Sequence, residues 1–294
     1  MINRRSIFWF AAVFLAVLFV TAVGRGQSIL LSSGNFALLA GTAITSTGSV
    51  GTMVTGGNVG SAVAITGFPP ATLAAPYLLI TGGGVVNQGL LDLITAENGL
   101  AGMPSNVTMG VTNLGGLNLT PAVYTFGAAA AQNGALTLDA QGKNNVFWVF
   151  QIGTSLVTSS GSSVNLINPG TNGGSDDGIF WVAETGGITI GDSSVMLGNY
   201  LAHTSITFSG TTSASGGVRA LAEAGITLDR NQVNPLGGPG GSDFSGALMY
   251  NGSGQVVPKV IPEPAAFGWL AALGALGLAG YRRERRQTAA NAAA

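Results

Sequence analysis

Five short units in this chain place a Thr or Asn between two large apolar residues. They are Leu117-Asn118-Leu119, Leu136-Thr137-Leu138, Ile188-Thr189-Ile190, Ile206-Thr207-Phe208 and Ile226-Thr227-Leu228. Successive side chains of a strand point to opposite faces, so the flanking apolar residues face a core and the central polar residue faces out. The last three units begin 18 and 20 residues apart, with Gly-rich corners such as Thr185-Gly186-Gly187 and Ser215-Gly216-Gly217 between units. A recurrence near twenty residues with such corners predicts a solenoid. No coil of a solenoid buries its apolar side alone; stacking coils at roughly 4.8 Å makes a continuous core. An ordinary β-sandwich with closely spaced turns is the alternative.

One segment breaks the β pattern. Val85 to Leu100 carries Val86, Leu90, Leu93, Ile94 and Leu100 at roughly helical spacing, with Gly102 and Pro104 as stop signals. Gly89 weakens this helix. A single amphipathic helix beside a solenoid lies along one face and closes that face to a ligand. Asn234 to Ser245 is rich in Gly and Pro and reads as a linker, and Gly246 to Val260 reads as a spacer.

Both ends carry address signals. Arg4 and Arg5 precede an apolar run from Ile7 to Val23 and then small residues, the layout of a secretory signal peptide over residues 1–26. An uncleaved anchor is the alternative. At the other end, Pro262-Glu263-Pro264 precedes an uncharged run from Ala265 to Tyr281, near the lower length limit for a membrane span, and then Arg282, Arg283, Arg285 and Arg286. A core helix with a basic end is the competing reading. The order Pro-Glu-Pro, span, Arg cluster over residues 261–286 resembles the PEP-CTERM sorting signal of Gram-negative bacteria that export polysaccharide. That resemblance implies an exosortase-type sorting enzyme as a partner, a membrane contact through the C-terminal helix at 265–281, and a place at the cell surface, outer envelope or extracellular matrix.

Residues 27–260 are enough for one sizeable core or a single elongated domain. Only 8% of the chain is charged and its formal net charge is −1, with no basic patch outside the termini. Nucleic acid is therefore not an expected partner. There is no cysteine, so stability has to come from packing and backbone pairing. A low-complexity adhesive segment shares this composition, but regular apolar alternation argues against disorder.

Further motifs run in order through the middle of the chain: Phe36-Ala37-Leu38-Leu39-Ala40-Gly41, Ile65-Thr66-Gly67-Phe68-Pro69-Pro70, Leu136 to Gly142, Val146 to Gly153, Leu201 to Thr207, Arg219-Ala220-Leu221-Ala222 and Gly225 to Asp229. Residues 35–233 thereby resemble the ice-binding-like (DUF3494-type) domain of microbial antifreeze proteins. The resemblance implies an all-β fold with one helix: a discontinuous right-handed β-solenoid, triangular in section, with a long α-helix alongside. Gly170 to Gly178 departs from the pattern as a loop insertion. The family also contains members with little or no ice activity, so membership does not settle function.

Catalysis has few candidates here. The acids between the two signals are scattered singly apart from Asp176-Asp177, and the lone His203 reads as a surface or corner residue. With one His and no Cys, no zinc site, other metal or cofactor is expected. Asp176-Asp177 reads as a solvated turn rather than a Ca²⁺ loop, and the chain reads as a non-enzyme.

Surface recognition remains. Outward Thr residues on a flat solenoid sheet repeat at roughly 6.6 Å along a strand and 4.8 Å across coils, distances that approximate repeats on ice faces. Thr42-Ala43-Ile44-Thr45 resembles the T-A/G-x-T/N motif of ice-active members. Thr42, Thr45, Thr47, Thr189, Thr207 and Thr227 are the candidate ice-binding residues, against the plain alternative that Thr is a good strand former. The expected function is adsorption of a monomer to ice at the cell surface or in exopolysaccharide; the alternative is a structural or adhesive protein of the biofilm matrix without ice activity.

Overall fold

A computed structural model describes residues 28–48, 51–110, 112–210, 213–214, 217–238 and 241–259, with isolated positions 283 and 291. The expected signal peptide and the apolar run 265–281 lie outside the described residues. Among the described residues no helix is long and apolar enough to cross a membrane.

Residues 28–259 form a stack of coils. A full coil supplies one short strand to each of three faces, as in Val218–Ala222, Ile226–Leu228 and Gln232–Val233. The first face is a nine-stranded sheet and the second a seven-stranded sheet; the third is divided into a three-stranded and a four-stranded sheet. Pairing between these strands is parallel throughout, which rules out the sandwich alternative. The hairpin Leu248–Tyr250 with Val256–Pro258 is antiparallel, as are the isolated bridges Ser28 to Met249 and Gly178 to Ser245.

The stacking order departs from the chain order. In the nine-stranded sheet, Phe36–Ala40 lies between Asn58–Ser61 and Val218–Ala222, with Leu38 paired to Ala220 and Leu39 to Leu221. The first coil therefore docks against the last. The mostly β fold with parallel sheets and one helix agrees with the family resemblance.

The core follows from strand alternation. Inside the coils, Tyr124, Phe150, Trp181 and Tyr200 stand in register on four adjacent strands and stack, with ring centroids 5.6, 3.9 and 5.6 Å apart. Their polar atoms are not stranded: Trp181 Nε1 and the Tyr200 hydroxyl both donate to the Leu197 carbonyl. Alternate residues of the same strands, including Val149, Phe180, Val182 and Leu201, point the other way into a second core. The helix Gly83–Ala101 closes that core with Val86, Leu93, Ala96 and Leu100. The expected helix thus exists and covers one face.

Two details differ from the sequence reading of the helix. Ile94 is 39% exposed, because the buried stripe runs through Leu93, Ala96, Glu97 and Leu100 instead. Gly89 is a packing requirement: a Cβ there would sit 2.9 Å from the Phe36 ring, and one at Gly60 would sit 2.4 Å from its other edge. Phe36 fills the slot between helix and sheet that these two glycines open.

The last carbonyls of the helix are satisfied by one buried side chain. Gln151 Nε2 donates to the carbonyls of Leu100, Ala101 and Met103 at 2.8, 3.1 and 2.9 Å, while its Oε1 accepts from the Thr125 hydroxyl.

The reading of residues 234–260 as linker and spacer needs correction up to residue 259. Phe244, Ala247 and Leu248 are buried, Tyr250 and Val256 pack on the helix-side core, and the Tyr250 hydroxyl donates to the Ile29 carbonyl. Arg219, buried at the base of this segment, donates to the carbonyls of Phe36 and Gly34, to Asn199 and to Asp243. One guanidinium ties the start of the domain to its end. Glycine and proline content suggested a free linker because it does not register these long-range partners.

Candidate functional site

With the first face under the helix and the third face divided, the seven-stranded sheet is the long, regular open surface. Its strands run in the order Ala130–Gln132, Leu156–Thr158, Ile188–Ile190, Ile206–Phe208, Ile226–Leu228, Ala43–Ser46 and Ala64–Thr66. Each central unit buries its flanking residues: Ile188 and Ile190, Ile206 and Phe208, Ile226 and Leu228 are all sealed inside. The residue between them has to face outward.

The register lines those outward residues up. Thr189 pairs with Thr207, Thr207 with Thr227, Thr227 with Thr45, and Thr45 with Thr66. The result is an unbroken five-rung Thr ladder, at roughly 4.8 Å per rung. Beyond Thr189 the same column continues through Val157, 48% exposed, and Ala131. Two residues earlier on each strand lies a column of small residues: Ala64 beside Ala43, then Gly225, Ser205, Gly187 and Ser155. Neither column contains an ionisable side chain. The Asp229–Arg230 pair, 3.2 Å apart, begins two residues beyond Thr227 at the rim.

The structure therefore brings together Thr45, Thr189, Thr207 and Thr227. Thr42 is exposed but lies just before its strand begins at Ala43, so it flanks the ladder. Thr47 is also exposed, but its hydroxyl is engaged, donating to the Leu228 carbonyl at 3.1 Å, and it lies just past the end of the strand Ala43–Ser46. Sequence reasoning missed Thr66. The signal was present: Ala64-Ile65-Thr66 repeats Ala43-Ile44-Thr45 one coil later. Of the sorting-signal residues, only Arg283 is described, and it is exposed; Pro262, Glu263, Pro264, Arg282, Arg285 and Arg286 lie outside the described residues.

The acids are less scattered than the sequence suggests. The helix carries Glu97 over the sheet to Glu223 and His203, and His203 Nδ1 lies 3.2 Å from Glu223 Oε1. Burial, reinforced by the hydrogen bond and charge of Glu223, pushes Glu97 up to about 9. Glycoside hydrolysis needs two carboxyls set apart across a bond, about 5 Å or more. This pair hydrogen-bonds to itself instead, an arrangement suited to sharing a proton or an ion.

Comparison with known proteins decides the family. A family model described as ice-binding-like matches residues 38–234. The chain belongs to the ice-binding-like family. A second match, the PEP-CTERM protein-sorting motif, covers residues 260–286. An ice-binding protein of Nostoc sp. (strain HG1) is 38% identical over 235 residues, which span 79% of this chain and 83% of that protein. Among solved structures, the ice-binding protein of the Antarctic ascomycete Antarctomyces psychrotrophicus superposes with a TM-score of 0.63 at 30% identity, covering 71% of this chain and 98% of that one. The DUF3494 domain of Shewanella frigidimarina ice-binding protein 1 gives 0.60 at 26% identity, covering 71% and 97%. These ice-binding-like relatives share the β fold with its helix.

Proposed function

We propose that this protein is an exported, non-catalytic ice-binding protein that adsorbs to ice through the seven-stranded face, with Thr45, Thr66, Thr189, Thr207 and Thr227 as the central contact row and Thr42 and Thr47 at its margins. The observation that carries the reading is the in-register Thr ladder beside a column of Ala, Gly and Ser, with no charge in either. Each Thr offers a methyl that orders adjacent water and a hydroxyl that anchors it. Many weak contacts act together on a regular array, and ionic groups, which hold water in competing geometries, stand only at the rim. The coils are read as right-handed and triangular, the hand that parallel crossover connections adopt.

The tail motif supports export across the inner membrane of a Gram-negative bacterium and handling by an exosortase-type enzyme, with ice contact at the cell surface or in exopolysaccharide. It also favours a second reading: a structural protein of the exported matrix that keeps this fold without ice activity. Ice-crystal shaping and recrystallisation assays on residues 28–259 at micromolar concentration separate the two. Faceted crystals and slowed recrystallisation are expected; rounded crystals and normal coarsening would leave the matrix role standing.

A further inference from the structure

At the edge of the long helix a pocket of about 370 Å³ opens against the nine-stranded sheet. Three strands end beside it on successive coils. Gly178–Ala183, Gly198–Ala202 and Val218–Ala222 are paired in register, Ala183 to Ala202 and Ala202 to Ala222. The residues that follow, Glu184, His203 and Glu223, therefore stand in a row along the pocket wall. From the opposite side the helix contributes Glu97, which is 7% exposed.

Three observations on these residues point the same way. Glu97, His203 and Glu223 each offer one donor atom, and these atoms all lie within 4.8 Å of one another. Glu97 Oε1 is buried and has no hydrogen-bond partner, although an orphaned carboxylate oxygen is costly. The pocket lining holds three glutamates and no lysine or arginine. A proton shared by Glu97 and Glu223 removes one negative charge and leaves Oε1 unsatisfied. A divalent cation offsets both charges and gives Oε1 a partner.

The donor set selects among cations. One imidazole nitrogen and two carboxylate oxygens match the three-ligand zinc pattern with a fourth position left for water. Calcium and magnesium prefer all-oxygen shells. A tetrahedral ion with ligand bonds of roughly 2.0–2.2 Å holds its donors about 3.3–3.6 Å apart, so small side-chain rotations close the site. His203 is half exposed and free to make that movement.

We propose that Glu97, His203 and Glu223 form a transition-metal site that takes Zn²⁺ and fastens the long helix to two adjacent coils. The site lies on the helix-covered side of the solenoid and is separate from the Thr ladder, so its loading and the ice activity are measured independently.

The test is equilibrium dialysis of the full-length, untagged chain, stripped with EDTA, against Zn²⁺, with bound metal read by atomic emission. One Zn²⁺ per chain is expected, with affinity lowered by at least about tenfold in Glu97→Gln, His203→Gln and Glu223→Gln. His203 is the only histidine of the chain, so its imidazole ¹⁵N resonances report the site directly. Zn²⁺ shifts them in the wild type, and raises the melting temperature of the wild type but not of His203→Gln. That variant changes an exposed side chain and keeps the test sound if Glu97→Gln fails to fold. The proposal is overturned if the folded wild type binds no Zn²⁺, if the three variants bind it as well as the wild type, or if Ca²⁺ competes with Zn²⁺ at equal concentration.

Discussion

Thr66 donates its hydroxyl hydrogen to the Thr45 hydroxyl across 3.2 Å, from one coil to the next. The two residues occupy the same rung position 21 residues apart, and their strands pair Ala43 with Ala64, Ile44 with Ile65 and Thr45 with Thr66. Hydroxyls at the open end of the ladder are thus held by each other rather than by bulk water alone.

Thr227 is the middle rung of five. Thr227→Tyr places a bulky ring at the centre of the face while leaving Ile226 and Leu228 inside. Thermal hysteresis should fall to near background, with unfolding free energy unchanged within about 0.5 kcal/mol, as for other surface substitutions. Thr47→Tyr, whose hydroxyl already bonds the Leu228 carbonyl, should retain most of the activity, and Thr42→Tyr should lie between the two. Equal loss in all three would argue against the ladder as the contact row.

Gln151 provides the C-terminal cap of the helix. Gln151→Leu keeps the volume but removes the side-chain donor from the Ala101 and Met103 carbonyls, while the Leu100 carbonyl keeps the Met103 amide, at a cost of about 1–3 kcal/mol per group that stays dry. Chemical denaturation should show the loss. Amide exchange should rise first in the last turn of the helix, near Asn98 to Ala101, and not in the Thr-bearing strands.

Phe36 sits in a slot cut by two glycines. Gly89→Ala gains up to about 1 kcal/mol of helix propensity, but the added methyl meets a fully buried ring, and overpacking of that kind costs about 1–3 kcal/mol. The steric term should win, giving a net destabilisation. Phe36→Ala in the Gly89→Ala background should lift the clash, which a double-mutant cycle measures as non-additivity.

A buried acid and a half-buried one give opposite pH dependences. Burial pushes Asp177 up to about 6, against the opposing hydrogen bond from the Val146 amide. A raised acid contributes stability below its unfolded value near 3.8, and that contribution is lost as pH rises through 6. Asp243 is also raised by burial, but the Arg219 charge and the Ser245 hydrogen bonds outweigh it and hold the group below 3.8. Its contribution is present above that value and disappears as pH falls through the lowered one. Asp177→Asn should flatten the decline in melting temperature between about pH 4 and 6, and Asp243→Asn should flatten the acid limb instead.

The Thr units flanked by Ile, Leu or Phe made the coil period, the inward and outward faces and three of the five rungs legible before any coordinates, and the resemblance of Thr42-Ala43-Ile44-Thr45 to the ice-active motif supplied a fourth. Alternation and spacing are local properties, and a strand with one buried face expresses them directly. What stayed hidden depends on which coil lies next to which. Thr45 and Thr66 meet the other three rungs because the first coil docks on the last, Glu97 meets His203 because the helix folds back over the sheet, and Phe244 joins the core beside Asn199, which donates to its carbonyl. None of these adjacencies leaves a periodic trace in the chain. Tyr250 and Val256 read as spacer for the same reason, since a two-strand hairpin with a Gly-rich neighbour carries too few apolar residues to announce a core.

The pairing of Leu38 with Ala220 sets an order of events. Strands that begin the domain wait for strands made nearly two hundred residues later, so the sheet stays open at that seam until the chain is almost complete. Contacts of such separation form slowly. Thr45 and Thr66 arrive early, Thr189, Thr207 and Thr227 late, and the proposed contact row comes into being only when the two halves meet. A product cut short anywhere before residue 218 retains many correct strands but presents no continuous row, so the wiring of the fold makes the Thr ladder a property of the finished molecule.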